Sequence, residues 1–446
     1  MITTEESARL LGVSRSRVLE LIKSGQLKAE KMSGVWLVDE ESVIERNRTV
    51  NKKGGRPRRG EGRGEAKFTF MNRTHEVCEV VYDRSRKEFT VLGKLFDETR
   101  APIGLAQNGL PALPFQFNDW WKGRGIPRTR DGVSELLREA GVDVPDELLQ
   151  RNLGLSLSDQ YWIRPQGSGL RWEDVNFFNN DFEQVDARTA PYALEGEGAH
   201  AHPDNTSDGN LCKFWVVRDG VRMLRKGGRY NGQEPYNEVV ATALYRRLLQ
   251  EDEFVPYVLD GEGPDAWCLC PDFLTDEEEY VPAVYVERLK VQDPTANDFD
   301  HFVECCEALG IGAARSALER MITCDDMMAN HDRHHRNFGI VRNVETLECR
   351  PAPVFDSGAS LWCDDSLDKL ARGDFDFSSR QFDHRPARQL LLVEDFSWFD
   401  IAKMDGFVDE AMDILAANDA LEKRLPYIRE GLTRRVERMI DIVEWS

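Results

Sequence analysis

The sequence predicts an α+β chain: a small helical head with a β-hairpin, then a larger body that opens on strands and closes on helices. Three observations predict it. Thr4 to Val38 reads as two short helices followed by two short strands. Residues 46–67 hold nine basic and two acidic residues and are rich in Gly, which separates head from body. The body shows strand character from Phe68 to Leu95 and from Phe214 to Lys226, and helical spacing from Leu421 to Val443.

The composition bounds the class. The 446 residues suffice for two to four domains with well-formed cores. Hydrophobic residues make up 41% and charged residues 31%, the balance of a soluble globular protein. No apolar run approaches membrane-spanning length, and the N-terminus lacks a basic region followed by an apolar core. The nine cysteines, with Cys268/Cys270 and Cys305-Cys306 as their close spacings, suggest neither a disulfide framework nor a zinc finger. The expectation is a cytoplasmic protein with reduced, mostly buried thiols and no membrane partner. The net charge of −21 is uneven. Residues 1–67 carry 15 Lys/Arg against 10 Asp/Glu, or +5, and the remainder 43 against 69, or −26. The head attracts a polyanion; the body repels one.

In the head, Thr4 caps a helix to Leu11 with Glu5 and Glu6 in its first turn. Gly12-Val13-Ser14 turns the chain, and Ser14 caps a second helix, Arg15 to Ser24. Leu27–Glu30 and Val35–Val38 form a hairpin across Ser33-Gly34, and Asp39 starts a third helix. This pattern resembles the excisionase and MerR-type winged helix-turn-helix domain, over residues 1–47. The resemblance implies that Ser14, Arg15, Ser16 and Arg17 reach DNA at the N-terminal end of the second helix. A protein-interaction module of the same shape stays open. The linker, residues 48–67, contains Gly55-Arg56-Pro57-Arg58, which resembles an AT-hook. Arg56 and Arg58 would then lie in a narrow minor groove. DNA is thus the expected partner of residues 1–67.

Residues 68–190 read as antiparallel strands (Phe68–Met71, Glu76–Tyr82, Phe89–Leu95) followed by a largely helical stretch, Gly132–Leu149. Trp120-Trp121 and Asp159 to Ile163 are aromatic clusters, read as packing rather than base-stacking platforms. Next, Phe214–Val217 and Val221–Lys226 form a hairpin about Arg218-Asp219-Gly220, and a helix opens at Pro235 and runs to about Leu249. A small-residue turn (Thr206 to Gly209), a strand lysine (Lys226) and a helix glutamate (Glu238) are parts that hold nucleotide phosphates in a kinase. Taken singly, the turn is an ordinary hairpin and the charges are surface charges. Ala266 to Leu274 reads as a buried strand passing into a linker, with Cys270 to Phe273 at a hinge position.

The catalytic pattern lies further on. Ala314–Ile322 is a helix that delivers Asn330-His331-Asp332-Arg333-His334-His335-Arg336-Asn337. Two short strands, Phe338–Arg342 and Leu347–Arg350, then carry the chain back to Phe355-Asp356. An Asp, an Asn five residues on and a second Asp after a hairpin supply a base and two hard oxygen ligands for magnesium. Asp and Asn are also ordinary turn residues. The histidines offer another reading, a transition-metal site.

With these pieces in order, the chain from Phe68 onward resembles the HipA-like serine/threonine kinases of bacterial toxin–antitoxin systems. The resemblance implies a two-lobed protein-kinase-like fold: a β-rich subdomain (68–190), an N-lobe (191–275) and a helical C-lobe (276–446). It implies Asp332 as catalytic base, Asn337 and Asp356 as Mg2+ ligands, and Lys226 as the nucleotide lysine with Glu238 as its partner. Ser207, Gly209, Lys213, Cys270, Asp272 and His334 join the ATP-binding set. Ser207, with Thr206 beside it, falls where some members autophosphorylate. Arg336 departs from the lysine common at its position. The expected function is ATP- and Mg-dependent transfer to a Ser or Thr of a protein, by a kinase fused to a DNA-binding domain. An antitoxin partner and a homodimer stay open. So do two other classes: a DNA-binding regulator with an inactive, nucleotide-sensing body, and a metal-dependent phosphohydrolase built on His331, Asp332, His334 and His335.

Overall fold

The computed structural model describes residues 2–11, 15–32, 35–39, 42–44, 46, 64–105, 114–130, 133–139, 142, 145–189, 202–206 and 211–446. It divides the chain into two units, 1–64 and 65–446. Of the expected contact residues, Ser14, Arg56, Arg58, Ser207 and Gly209 lie outside the described residues, as do the turns at 12–14 and 33–34.

In the head, β1 (Ile2–Thr3) leads directly into α1 (Thr4–Leu11), and α2 spans Arg15–Lys23. β2 (Ala29–Met32) and β3 (Val35–Val38) pair antiparallel, and β1 adds to the other edge of β3, with Ile2 opposite Val38. Both helices appear at the expected positions. β2 lies two residues later than expected because Leu27 packs in the core with Val18, Leu21, Val38 and Val43. β1 is too short to read from sequence; Ser7 secures it by donating to the Thr3 carbonyl at 2.8 Å. Arg17 is exposed on α2.

The body opens on an antiparallel sheet in the order β6-β5-β4-β7. β4 (Glu65–Asn72), β5 (His75–Asp83) and β6 (Glu88–Leu92) follow the expected runs. α3 (Pro114–Lys122), α4 (Val133–Glu139) and α5 (Pro145–Arg151) come next, and β7 (Tyr161–Pro165) returns to pair with β4. The aromatic clusters are core. Trp120, Trp121 and Trp162 are buried, and Tyr161 stacks on Phe70 with ring centroids 5.3 Å apart. The guanidinium of Arg124 is buried among them, over the Trp120 ring at 4.9 Å. It donates to both oxygens of Asp159 at 2.7 and 2.6 Å and to the Gly154 carbonyl at 2.7 Å.

A second antiparallel sheet has the order β10-β11-β9-β8. β8 (Lys213–Arg218) and β9 (Val221–Lys226) join at Asp219 and Gly220, both at positive φ (52° and 78°). That is the turn an Asp-Gly pair favours. α6 (Gln233–Leu248) starts at Gly232, whose φ is +67° and where a Cβ would meet the Pro264 carbonyl oxygen at 2.0 Å. Only glycine fits there. β10 (Val258–Asp260) and β11 (Trp267–Pro271) complete the sheet, with Cys268 opposite Lys226.

The rest is mainly helical around a small third sheet, β12 (Glu278–Pro282), β13 (Gly339–Asn343) and β14 (Cys349–Pro351). α7 (Asp298–Ala308), α8 (Ala314–Met328), α9 (Phe407–Ala416) and α10 (Leu425–Trp445) supply the core. β12 escapes sequence reading because it carries Glu278 and Glu279; Glu279 is buried and paired with Arg342 of β13 at 2.5 Å. Ahead of α9 the chain makes a short helical turn, Ile401–Met404. The nine cysteines are free thiols; seven are buried and Cys212 is exposed. Among the described residues no helix is long and apolar enough to cross a membrane.

Arg124→Ala is expected to leave the Asp159 carboxylate buried without its partner. Removing one member of a buried pair costs about 3–5 kcal/mol, so the urea midpoint of the body should fall accordingly. An unchanged midpoint would contradict the packing described for this subdomain.

Candidate active site

α8 ends at Ala329, whose positive φ of 51° lets its N–H reach the Asp325 and Asp326 carbonyls. The Asn330 N–H also donates to the Asp325 carbonyl, at 2.9 Å. The chain then turns through residues 330–338 into β13. Arg333 is fully buried under this loop. It donates from Nε and Nη2 to the two oxygens of Asp325 at 2.9 Å, and from Nη2 to Ser357 Oγ at 2.9 Å. Nη1 donates to the Asn337 carbonyl at 3.1 Å and to the Phe355 carbonyl. All five guanidinium donors are thus used, and one side chain ties the end of α8, the loop and the segment bearing Asp356 together. Within the loop, the Asp332 N–H donates to Asn330 Oδ1 at 3.1 Å, and Asn337 Nδ2 to the Asp332 carbonyl at 2.9 Å.

The hairpin β13–β14 returns the chain as expected. Val354 is held by a parallel bridge to the strand-like segment after α6: Val255 N–H to Val354 O at 2.9 Å, Val354 N–H to Glu253 O at 2.8 Å. Phe355 stacks on Phe273 at 5.5 Å. Asp356 takes a positive φ of 58°, and its carboxylate meets Lys226 Nζ. The same ammonium meets Glu238 Oε1. Glu238 Oε2 accepts the Ser357 N–H at 2.9 Å, and Asn237 donates to the Gly358 and Ser360 carbonyls at 2.8 and 2.7 Å. Desolvation opposes every charge here. It drives the Glu238 carboxyl up, with Lys226 opposing and Asp356 adding to the rise. It would raise Asp356 as well, but Lys226, Lys213 and Arg333 outweigh it and hold that carboxyl well below the usual carboxylate range. Burial would lower Lys226, but the two carboxylates keep it charged.

These groups meet a cleft of about 400 Å³. Lys213, Lys226, Cys270, Asp272, Asp332, His334, Asn337 and Asp356 all line it; Glu238 sits behind Lys226. At the hinge, burial pushes the Asp272 carboxyl up to about 8, against the Leu274 N–H and Arg222, which pull it down. Asp272 Oδ1 accepts that N–H at 3.1 Å, while Oδ2 is buried without a protein hydrogen-bond partner. Thr206 is buried, donates its hydroxyl to the Pro203 carbonyl at 2.9 Å and faces a separate small cavity.

The histidines do not gather into the metal site that their sequence clustering offered. His335 is half-buried, with Nδ1 2.7 Å from Glu287 Oε1 and Nε2 donating to the Gln381 carbonyl at 2.7 Å. Among the described residues no metal-sized cluster contains His334 or His335; His331 alone joins one, with Cys363 and Asp364. Arg336 also lines the cleft; its guanidinium lies over the Tyr285 ring at 5.4 Å and donates to the Gly123 carbonyl at 3.3 Å. Three residues of this site escaped sequence reading. Asp325 lies on the α8 face that reads as core, and Arg333 looks like a surface loop charge. Arg380, from a distant loop, donates to Asp332 Oδ1 at 2.6 Å, and nothing in the sequence marks it.

A strand lysine held by a helix glutamate thus shares one cleft with a loop Asp, a loop Asn and a second Asp. Residues 1–46 match the helix-turn-helix domain family, so the head is a helix-turn-helix domain. The serine/threonine-protein kinase CtkA of Helicobacter pylori is 25% identical over 99 residues, 21% of this chain and 30% of that protein. The chain thus matches less than a third of that relative's length. Two solved structures are similar at low identity. The Helicobacter pylori proinflammatory kinase CtkA has 16% identity and a TM-score of 0.39, covering 52% of this chain and 94% of its own. The Shewanella oneidensis HipA, solved with HipB and operator DNA, has 13% identity and a TM-score of 0.49, covering 84% and 98%.

His335 generates a prediction. Burial disfavours its charge, but Glu287 and the Gln381 carbonyl outweigh burial, so its pKa is raised in the folded state. The stabilisation is then fully present below the unfolded value of about 6.5 and is lost as pH rises through the folded value. The melting temperature should fall over that window in the wild type and lose this component of its pH dependence in His335→Gln. Identical pH slopes in the two proteins would contradict the cationic assignment.

Proposed function

We propose that the body is an ATP- and Mg2+-dependent serine/threonine kinase and that the head and linker bind DNA. The observation that carries the kinase reading is Lys226, held between Glu238 and Asp356 beside Asp332 and Asn337 in one cleft. The residues fit ATP and magnesium. Asp356, kept ionised, and the Asn337 amide oxygen, turned away from the Asp332 carbonyl, are hard donors on two walls of the cleft. Magnesium bound there with ATP would neutralise phosphate charge. Lys226 and Lys213 provide fixed cations for the phosphates. Asp332 accepts the proton of the attacking hydroxyl; Arg380 holds one of its oxygens, so the other is the one available to the acceptor. Cys270 to Phe273 line the cleft, and we read them as the segment that meets the base. Any autophosphorylation would fall on Ser207 before Thr206, whose hydroxyl is buried.

The test is mass spectrometry of the protein and an added acceptor after incubation with ATP and Mg2+. Asp332→Asn should lose about 10² to 10⁴ in transfer rate while melting as the wild type does, and Asp356→Asn should be at least as impaired. ATP binding with no transfer by the wild type would select instead a DNA-binding regulator with a nucleotide-sensing body.

The +5 head and −26 body support reading residues 1–67 as the part that binds DNA. Binding should weaken steeply with salt, and each lost phosphate contact should flatten the log–log slope by about 0.9. Arg17→Ala, on the exposed side of α2, should reduce sequence discrimination, whereas Arg56→Ala with Arg58→Ala should weaken binding to all sequences. In HipA of Shewanella oneidensis the DNA complex includes HipB; here the DNA-binding head is on the kinase chain, and we read the body as brought to DNA in cis. Fragment 1–67 failing to bind DNA at low salt would favour an interaction module.

A further inference from the structure

Three donor atoms of different kinds converge one residue from the proposed base. An imidazole nitrogen of His331, Sγ of Cys363 and a carboxylate oxygen of Asp364 all lie within 4.8 Å of one another, and His331 Nε2 is 3.5 Å from Asp364 Oδ2. The phosphoryl-transfer reading uses none of them. They come from two segments that the backbone joins. The His331 N–H donates to the Ala359 carbonyl at 3.1 Å, the Leu361 N–H to Met328 O at 2.9 Å, and the Cys363 N–H to Ser360 O at 3.1 Å.

The thiol is brought there by an unusual stretch of chain. Leu361 and Trp362 are consecutive non-glycine residues at positive φ, 49° and 55°. Such a pair persists only where the surroundings over-determine it. Gln233 donates to the Leu361 carbonyl at 3.0 Å, Arg424 to the Trp362 carbonyl at 2.6 Å, and the Trp362 indole to the Phe375 carbonyl at 2.9 Å. The result turns Cys363 inward, 3% exposed, while Asp364 faces solvent at the cleft.

We propose that His331, Cys363 and Asp364 form a binding site for a divalent transition-metal ion of the zinc type, with solvent completing the coordination. The donor set decides the metal class. Magnesium and calcium take oxygen ligands, whereas sulfur with imidazole and one carboxylate suits zinc or cobalt. Three protein ligands with one open position is a regular zinc arrangement. Cys363 binds as thiolate, and its proton leaves to solvent as the metal enters. An ion here links the loop carrying Asp332 to the segment that follows Asp356.

The test uses cobalt(II) alone, added to the purified full chain without nucleotide. A sulfur-to-cobalt charge-transfer absorption is expected. It should be lost in Cys363→Ser, weakened in His331→Gln and Asp364→Asn, and kept in Cys212→Ser, which removes the exposed thiol. No absorption in the wild type, or absorption that survives Cys363→Ser, overturns the site. Should Cys363→Ser fail to fold, His331→Gln decides: unchanged cobalt affinity overturns it. The readout needs no phosphoryl transfer, so an inactive kinase body would leave this result standing.

Discussion

One buried ammonium organises the body of this protein. Lys226 is 3% exposed and meets two carboxylates, one from α6 and one from the segment after β14. Two carboxylates this close repel one another, and in a desolvated place neither ionises easily. The lysine settles the conflict unequally, with Asp356 driven down and Glu238 driven up. The sheet, the helix and the Asp356 segment are therefore joined by a charge balance that fails if any member is missing, since removing one partner of a buried pair costs about 3–5 kcal/mol. Hydrogen bonds from the Ser357 N–H to Glu238 and from the Asn237 amide to the Gly358 and Ser360 carbonyls make the joint directional as well as electrostatic.

Arg333 does for the lower wall of the cleft what Lys226 does for the upper. A buried guanidinium is tolerable only if its charge is paired and its donors are filled, and here all five N–H groups find oxygen. Lysine, with one ammonium, could not span Asp325, Asn337, Phe355 and Ser357 at once. The loop that presents Asp332 and Asn337 is thus set by an interior polar network rather than by apolar packing, which is how a loop can hold side chains at fixed positions facing a cleft.

Cations around the cleft are distributed by tertiary structure in a way their order in the chain does not suggest. Arg336, four residues after Asp332, lines the cleft but bonds to Gly123 and lies over Tyr285 rather than meeting Asp332. The cation that reaches Asp332 is Arg380, 48 residues later. The three histidines of the loop likewise part company: His335 turns to Glu287 and Gln381, His334 accepts the Arg336 N–H, and His331 turns to Cys363 and Asp364. Neighbours in sequence on an irregular loop point in different directions, so a run of like residues there is no evidence of a shared site.

The sequence by itself determined the elements whose signals are local. The head helices follow from apolar spacing, the β8–β9 hairpin from Asp219-Gly220, and α8 with the β13–β14 return from spacing and a polar turn. That Lys226, Asp332, Asn337 and Asp356 share one cleft, with Glu238 behind Lys226, follows the order of such elements along the chain, and the head's similarity to helix-turn-helix domains was legible from its caps and turns. Tertiary structure alone decided what depends on distant partners. β12 is a strand because Arg342 neutralises Glu279 from the next strand, and β7 because β4 accepts it as an edge. Asp325, Arg333, Arg380 and the Cys363–His331 approach have no sequence signal, because a charged or polar side chain in an irregular segment shows its partner only once the chain is folded.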